Sequence, residues 1–393
     1  MNSPKLKKEK TYPAGMDRVA PYQRRYRWIM LSLIWLLYAA FGLTYRAMPP
    51  LITPILQDLH LSYTQMGFIL GSWQLIYIAV SIIAGTIIDK WGLRKALLVG
   101  TVIVGLSSAL RYLSKDFTGM LGAVALFGVG GPMISIGGPK AISIWFEGKD
   151  RGTAMGIFVT GLWTGGILSL ALTNSLVMPL TGNSWRGAFL LYGVFTFLVG
   201  LLWWFFAKDT EPSVPSKGLK TMDLFGRLFR VRQVQVVMAL GLLAFAITHG
   251  FTNWLPTILE ANHLSPALAG IVASLPLAAG IPSMLFFPRL VPPQLRGRYL
   301  ALCVLGILVV LILAVTTSGN LQFAALILYG MIISPFVPIL TLVLMDTPEV
   351  GSTHMGFAGG MFFCVAEIGG FTGPLMMGAL VDLTGGFLVS PLT

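Results

Sequence analysis

Long apolar runs follow one another along almost the whole sequence, separated by short polar turns. A membrane-spanning helix needs about 20 mostly apolar residues, and 55% of the 393 residues are hydrophobic whereas 11% are charged. The runs are too long for barrel strands, which need about 10 residues of alternating polarity. The sequence therefore predicts an all-α polytopic membrane protein with spans at residues 28–56, 63–88, 94–113, 117–146, 152–179, 186–207, 231–259, 265–290, 297–317, 321–345 and 353–382.

The chain carries a net charge of +12, and its basic residues are unevenly distributed. With a cytoplasmic N-terminus, most of the 27 lysines and arginines lie in cytoplasmic segments, whereas Arg111, Lys115 and Arg186 lie outside. This asymmetry follows the positive-inside rule and predicts a multi-pass plasma-membrane protein whose N-terminus is cytoplasmic. The basicity then indicates contact with anionic membrane lipids and not with nucleic acid.

The sequence contains an internal repeat. Residues 55–62 resemble residues 258–265 at a shift of 203 positions, and Gly67 falls on Gly270 at the same shift. Both copies lie on the same predicted side of the membrane, as expected for parallel repeats of six helices. We therefore expect a basic tail at 1–27, a first bundle at 28–207, a cytoplasmic linker at 208–232 and a second bundle at 233–393.

The second bundle is expected to lack its last helix. After the span at 353–382, only residues 387–393 remain to cross the bilayer, which is far too few. We expect eleven spans, a C-terminus outside the cell, and a natural product that continues into a twelfth helix.

A charged turn between the second and third runs has the pattern Gly-x-x-x-Asp-Lys-x-Gly-x-Arg-Lys. It resembles the loop joining helices 2 and 3 of major facilitator superfamily transporters, although an ordinary basic turn is the alternative. We expect its first glycine to admit a neighbouring helix and its aspartate to face a helix N-terminus. The residues assigned to gating are Gly85, Asp89, Lys90, Gly92, Arg94 and Lys95, together with Arg151 of a later turn.

Within the superfamily, the segments Gly138-Pro139-Lys140 and Arg151-Gly152-Thr-Ala-Met-Gly156 are similar to those of the cyanate, nitroimidazole and monocarboxylate permease branches. The resemblance implies two pseudo-symmetric bundles in which helices 1, 4, 7 and 10 line a central cavity. Lys140, close to the cytoplasmic end of its span, is expected to extend its amine towards water.

Three ionisable residues lie inside apolar runs, where a charge costs at least about 2.5 kcal/mol. Arg46 is interpreted as a cation that holds a substrate carboxylate; the alternative is permanent pairing with Glu367 or helix carbonyls. The repeat shift places His249 on Arg46, so the resemblance implies that the two face each other across the pseudo-two-fold axis. His249 is a proton site, a hydrogen-bond donor to substrate or a structural residue. Glu367 carries a coupling proton or merely neutralises Arg46.

Other polar and aromatic residues are candidates to surround a substrate, with ordinary helix packing as the alternative for each. The complete substrate-binding prediction is Tyr45, Arg46, Gln74, His249, Asn253, Trp254 and Tyr329, and the proton-coupling prediction is His249 and Glu367.

The sequence therefore predicts a secondary transporter that moves a small organic anion by alternating access, with a proton as the coupling ion. The alternative is a proton antiporter that exports a drug or amphipathic cation, centred on Glu367. No nucleotide loop, metal cluster or nucleophile arrangement indicates an enzyme, and no large soluble domain indicates a receptor. We expect a monomer without cofactor or metal.

Overall fold

The computed structural model describes residues 21–208 and 226–387. Most of the predicted basic tail, most of the predicted linker and the end of the chain, where a twelfth helix is expected to be missing, lie outside the described residues.

The described residues form α-helices joined by short turns, and they contain no strand. Ten helical segments are long and apolar enough to cross a membrane, and a pair of helices bent by 60° supplies an eleventh. The all-α prediction is confirmed, and each predicted span coincides with one of these segments. Spans 1 to 11 are, in order, Tyr26–Leu59, Tyr63–Ser81 with Ile83–Trp91, Leu93–Arg111, Phe117–Trp145, Gly148–Leu180, Trp185–Phe206, Arg232–Ala261, Pro266–Leu290, Pro293–Thr316, Gly319–Asp346 and His354–Thr384.

Local signals in the sequence set several of these boundaries. Ser62 begins span 2 with a capping box, in which its hydroxyl accepts from the backbone N–H of Gln65. Asp116 caps span 4 with a single hydrogen bond, which its carboxylate accepts from the backbone N–H of Gly119. Gly92 separates spans 2 and 3 at φ +78°, a backbone region that favours glycine.

The spans pack in two groups, 1–6 and 7–11, with equivalent contacts. Span 1 packs on span 5, span 2 on span 4, and span 3 on span 4; likewise span 7 packs on span 11, span 8 on span 10, and span 9 on span 10. The groups meet along two seams, spans 2 with 11 and spans 8 with 5. Exchanging each span with its counterpart six places away turns the seam of spans 2 and 11 into the seam of spans 8 and 5. A two-fold relation between the groups requires this exchange.

Close helix crossings repeat at the same shift along the chain. A Cβ built on Gly165 would lie 2.0 Å from the carbonyl oxygen of Ala39, and one built on Gly369 would lie 2.0 Å from that of Leu242. Glycine is needed at such crossings because any side chain would hold the two backbones apart. Two further glycine-to-carbonyl pairs repeat with a shift of 202–204 positions, namely Gly128–Trp73 with Gly330–Pro276, and Gly67–Pro374 with Gly270–Leu170.

The two groups converge at one end and separate at the other. We call the end that carries the turn at 89–95 the basic end, and the opposite end, which carries residues 60–62, the far end. One apolar cluster joins both groups and includes Leu37, Ile55, Trp254 and Val272. A second cluster, around Val234, contains second-group residues nearer the basic end. The apolar core is therefore continuous across the groups only towards the far end.

Glycines along the seam of spans 2 and 11 also show that the two groups are close together at the far end and apart at the basic end. A Cβ on Gly67 would lie 2.4 Å from the carbonyl oxygen of Pro374, whereas Cβ atoms on Gly85, Gly356 and Gly360 would meet no atom of a neighbouring helix within 4 Å. In this conformation the seam is open at the level of Gly85, so the close approach of a neighbouring helix there stays a prediction for the conformation that is closed at the basic end.

Candidate functional site

The predicted cation lies where span 1 is interrupted. Arg46 is the last residue of the helix Pro21–Arg46, and a 3₁₀ turn at Pro49–Leu51 follows it. The α-helix cannot continue through Pro49 and Pro50, which have no backbone N–H to donate. Arg46 is 7% exposed. The break therefore places a buried guanidinium at the contact between spans 1 and 7.

Arg46 is bound by uncharged groups. Its Nη1 donates to Thr252 Oγ1 at 2.8 Å and to Asn253 Oδ1 at 3.2 Å, and its Cζ lies 4.5 Å from the centre of the Tyr45 ring. Among residues 21–208 and 226–387, the four ion pairs involve neither Arg46 nor Glu367. Within the described chain, the expected alternative of permanent pairing with Glu367 is therefore absent.

His249 joins span 7 to spans 1 and 2. Its Nδ1 lies 3.2 Å from the Tyr45 hydroxyl and 3.1 Å from Gln74 Nε2. The same Gln74 amide nitrogen donates to the carbonyl oxygen of Gly370 at 3.1 Å, and this fixes the orientation of the amide. Because an amide NH₂ only donates, Nδ1 must accept. This arrangement holds a neutral imidazole that carries its proton on Nε2.

Glu367 lies beside this network, and one oxygen of its carboxyl group accepts no hydrogen bond from the described residues. It is 8% exposed, and its Oε2 has no hydrogen-bond partner in the described part of the chain. A Cβ built on Gly370 would lie 2.8 Å from this oxygen and 3.3 Å from Gln74 Nε2. The bare backbone of Gly370 thus brings a buried carboxyl group close to the glutamine that contacts His249.

Within the described residues, the other two predicted substrate ligands form no hydrogen bond to Arg46, Gln74 or His249. Trp254 is fully buried, and its indole N–H donates to the carbonyl oxygen of Pro374 at 3.0 Å. Tyr329 is also fully buried, with its ring centre 5.0 Å from that of Phe251. In this conformation both serve helix packing, whereas Tyr45, Arg46, Gln74, His249 and Asn253 lie together.

The predicted gating turn holds together the helices of the first group at the basic end. Asp89 forms an ion pair with Lys140 of span 4. Lys140 therefore ends in a contact with the turn, in addition to extending towards water as expected. Arg94 donates to the carbonyl oxygen of Trp204 at the end of span 6. Arg151 caps span 4 by donating to the carbonyl oxygens of Ser143, at 2.8 Å, and Phe146, at 3.0 Å.

Lys90 and Lys95 are arranged differently from the rest of the turn. They line a surface groove of about 460 Å³ together with Trp91 and Trp204. Tryptophan and lysine are residue types that occur at membrane interfaces. The groove therefore suits the predicted contact with lipid headgroups better than it suits the central pathway.

Sequence reasoning missed two residues. Thr252 binds Arg46, although a lone threonine in an apolar run carries no signal of that role. Arg111 was assigned to the outside surface, but it is 3% exposed at the end of span 3. The sequence did carry a signal for Arg111. It is a basic residue on the side of the membrane that is otherwise poor in positive charge.

Two bundles, two seams and a buried polar site between them are the architecture of a membrane carrier. The chain belongs to the Major Facilitator Superfamily, whose family model matches residues 34–374. The resemblance inferred from the charged turn is therefore confirmed.

Known proteins similar to this chain are transporters and not enzymes. It is 26% identical over 383 residues to a hexuronate transporter of Bacillus subtilis (strain 168), covering 91% of this chain and 89% of the relative. It is 28% identical over 332 residues to monocarboxylate transporter 11 of Homo sapiens, covering 79% and 68%. The solved nucleoside transporter NupG has the same fold, with a TM-score of 0.76 at 16% identity, covering 90% of this chain and 91% of that one.

Proposed function

We propose that this protein is a secondary active transporter that moves a small organic anion across the plasma membrane by alternating access. The observation that carries the proposal is the buried guanidinium of Arg46, which, among residues 21–208 and 226–387, donates to two uncharged side chains and forms no ion pair. Burying an uncompensated charge is costly unless the site is used. A substrate carboxylate supplies the missing charge through paired hydrogen bonds.

The relatives support the chemical class of the substrate. One is named for hexuronates and another for monocarboxylates. These compounds share a carboxylate, and they differ in size and in hydroxylation. The shared group is the one that an arginine binds in a forked geometry, so we assign the carboxylate to Arg46.

Alternating access follows from the seams. Contacts between the groups, including those of Arg46 and those of Asp382 with the N-terminus of span 2, lie towards the far end. With the N-terminus in the cytoplasm, as the positive-inside rule predicts, this conformation is closed outside and open inside. Separating the groups at the far end breaks the contacts of Arg46 with span 7 and exposes it to solutes outside the cell.

Proton coupling is the finer part of the proposal. Glu367 has an unpartnered buried oxygen, and the same region contains His249 in a neutral form. A carboxyl group there is stable when protonated, and it releases its proton when water reaches it. We therefore assign the coupling proton to Glu367, beside a His249 that is held neutral by the hydrogen bond from Gln74 to its Nδ1.

The test is uptake into proteoliposomes. Arg46→Ala is expected to reduce uptake of a radiolabelled hexuronate or short monocarboxylate to background, and Arg46→Lys to retain a small fraction, because lysine lacks the fork. Arg186→Ala is the matched control: it removes a cation that contacts Asp58 at the far end, away from Arg46. Undiminished anion uptake by Arg46→Ala would end the anion assignment. Uptake of a lipophilic cation in place of any anion would favour the exporter alternative.

A further inference from the structure

A second buried arginine lies near the candidate site without a carboxylate partner. Arg111 Nη2 donates to Ser107 Oγ at 3.3 Å, and its Cζ lies 5.1 Å from the centre of the Phe189 ring. Its Nε has no hydrogen-bond partner within residues 21–208 and 226–387, and none of the ion pairs there includes it. A structural arginine inside a membrane protein normally pairs with a carboxylate or with carbonyls. Arg111 is thus a buried cation that has no acidic partner among the described residues.

Arg111 lines a small cavity, and Arg46 contacts two of the residues that form the walls of the same cavity. The cavity, of about 20 Å³, is lined by Arg111, Tyr45, Trp73, Phe127 and Asn253 among others. Asn253 accepts a hydrogen bond from Arg46, and the Tyr45 ring lies against the Arg46 guanidinium. Two walls of the cavity are therefore shared with the predicted anion site. In this conformation the cavity has room for about one water molecule.

One wall of this cavity belongs to the other group of spans. Asn253 is on span 7, whereas every other lining residue is on spans 1 to 4. When the groups separate at the far end, Asn253 leaves with span 7 while Arg111 stays with Tyr45. The small cavity then joins the central pathway, and both guanidinium groups face it from the first group.

We propose that Arg111 is a second anion-binding residue, and that the preferred substrates are organic acids with two negatively charged groups. This inference rests on the proposed function, in which Arg46 binds the first acidic group. A monoanion leaves one buried guanidinium without a counter-charge, whereas a dianion compensates both. The dianion binds first in the conformation that is open at the far end, because the cavity is closed in the present one.

Matched pairs of acids test the proposal. Butyrate and succinate have the same carbon chain and differ by one carboxylate, and so do gluconate and glucarate. Initial uptake rates into proteoliposomes give the ratio of dianion to monoanion for each pair. The intact protein is expected to prefer the dianion of at least one pair. Arg111→Gln is expected to lower that ratio by about tenfold or more, the effect of losing one charge-assisted hydrogen-bonding partner, and Arg111→Lys to lower it less.

Arg186→Gln is the control for a general change of charge at the far end, and its ratio is expected to match that of the intact protein. If Arg111→Gln and Arg111→Lys reduce the uptake of both acids of a pair equally, Arg111 is a structural arginine and the proposal is overturned. An intact protein that transports monoanions without preferring either dianion would also overturn it, while leaving the proposed function in place. If the intact protein transports none of the four acids and its thermal stability responds to none of them, the proposed function itself fails.

Discussion

Arg46 and Glu367 carry a basic and an acidic group in the same membrane interior, yet they are held by different partners. Arg46 contacts Thr252 and Asn253, whereas Glu367 lies by Gly370 and Gln74. If the two paired with each other, neither would be available to a substrate or a proton. Their separation allows one to bind an anion while the other exchanges a proton.

Replacing Glu367 by glutamine separates binding from coupling. Glutamine preserves the shape of the side chain but cannot carry a proton through the cycle. We expect Glu367→Gln to retain counterflow exchange of a labelled anion and to lose accumulation driven by a pH gradient, at least about tenfold. Both are measured in the same proteoliposomes. Glu260→Gln is the control, since Glu260 accepts a hydrogen bond from Thr53 at the far end. Normal accumulation by Glu367→Gln would remove Glu367 from the coupling role.

The sequence identifies some site residues better than others. Arg46, His249 and Glu367 interrupt apolar runs, so their burial follows from the span that contains them. Arg111 ends its span, and at such a position sequence alone does not distinguish a side chain that turns inward from one that reaches water. Phe189 and the cavity beyond it are supplied by other spans. Only the packed structure brings them to Arg111.

At the scale of the helix, small residues determine how closely two spans approach. The sequence contains 45 glycines, and periodicity alone does not indicate which of them touch another backbone. Span 5 contains both kinds. A Cβ on Gly165 would lie 2.0 Å from the carbonyl oxygen of Ala39, whereas a Cβ on Gly156 would meet no atom of a neighbouring helix within 4 Å. The contrast within one helix makes the crossing testable.

We expect Gly165→Ala to destabilise the protein by about 1–3 kcal/mol, because the added methyl group forces spans 1 and 5 apart. Gly156→Ala, on the same helix, is expected to be neutral or stabilising by up to about 1 kcal/mol, since alanine favours a helix over glycine. Thermal unfolding in detergent compares the two. The equivalent substitution Gly369→Ala in the second group should behave like Gly165→Ala. Equal effects at positions 156 and 165 would contradict the crossing geometry.

At the scale of the molecule, the repeat was predictable and the conformation was not. Matching residues at a shift of 203 positions indicate two similar bundles, and the paired glycine crossings agree with them. A carrier that alternates must pack almost equally well with either end closed, so its sequence encodes both states. The closed far end is therefore a property of this structure, recorded in contacts such as that of Thr64 with Asp382.

A reversible cross-link tests whether the far end must open during transport. The Asp382 carboxylate accepts from the backbone N–H of Thr64 at 2.7 Å, so the pair Thr64→Cys and Asp382→Cys is expected to form a disulfide on mild oxidation. The free cysteines Cys303 and Cys364 are first replaced by alanine.

Oxidation is expected to reduce uptake to background, and reduction to restore it, because spans 2 and 11 can no longer separate. The pair Gly85→Cys and Gly356→Cys lies on the same two helices at the basic end, where a Cβ on either glycine would meet no atom of a neighbouring helix within 4 Å. This pair should resist oxidation in the present conformation and cross-link only when the basic end closes during transport. Full uptake with the far-end disulfide intact would mean that the substrate crosses without separation of this seam, and alternating access through it would then be wrong.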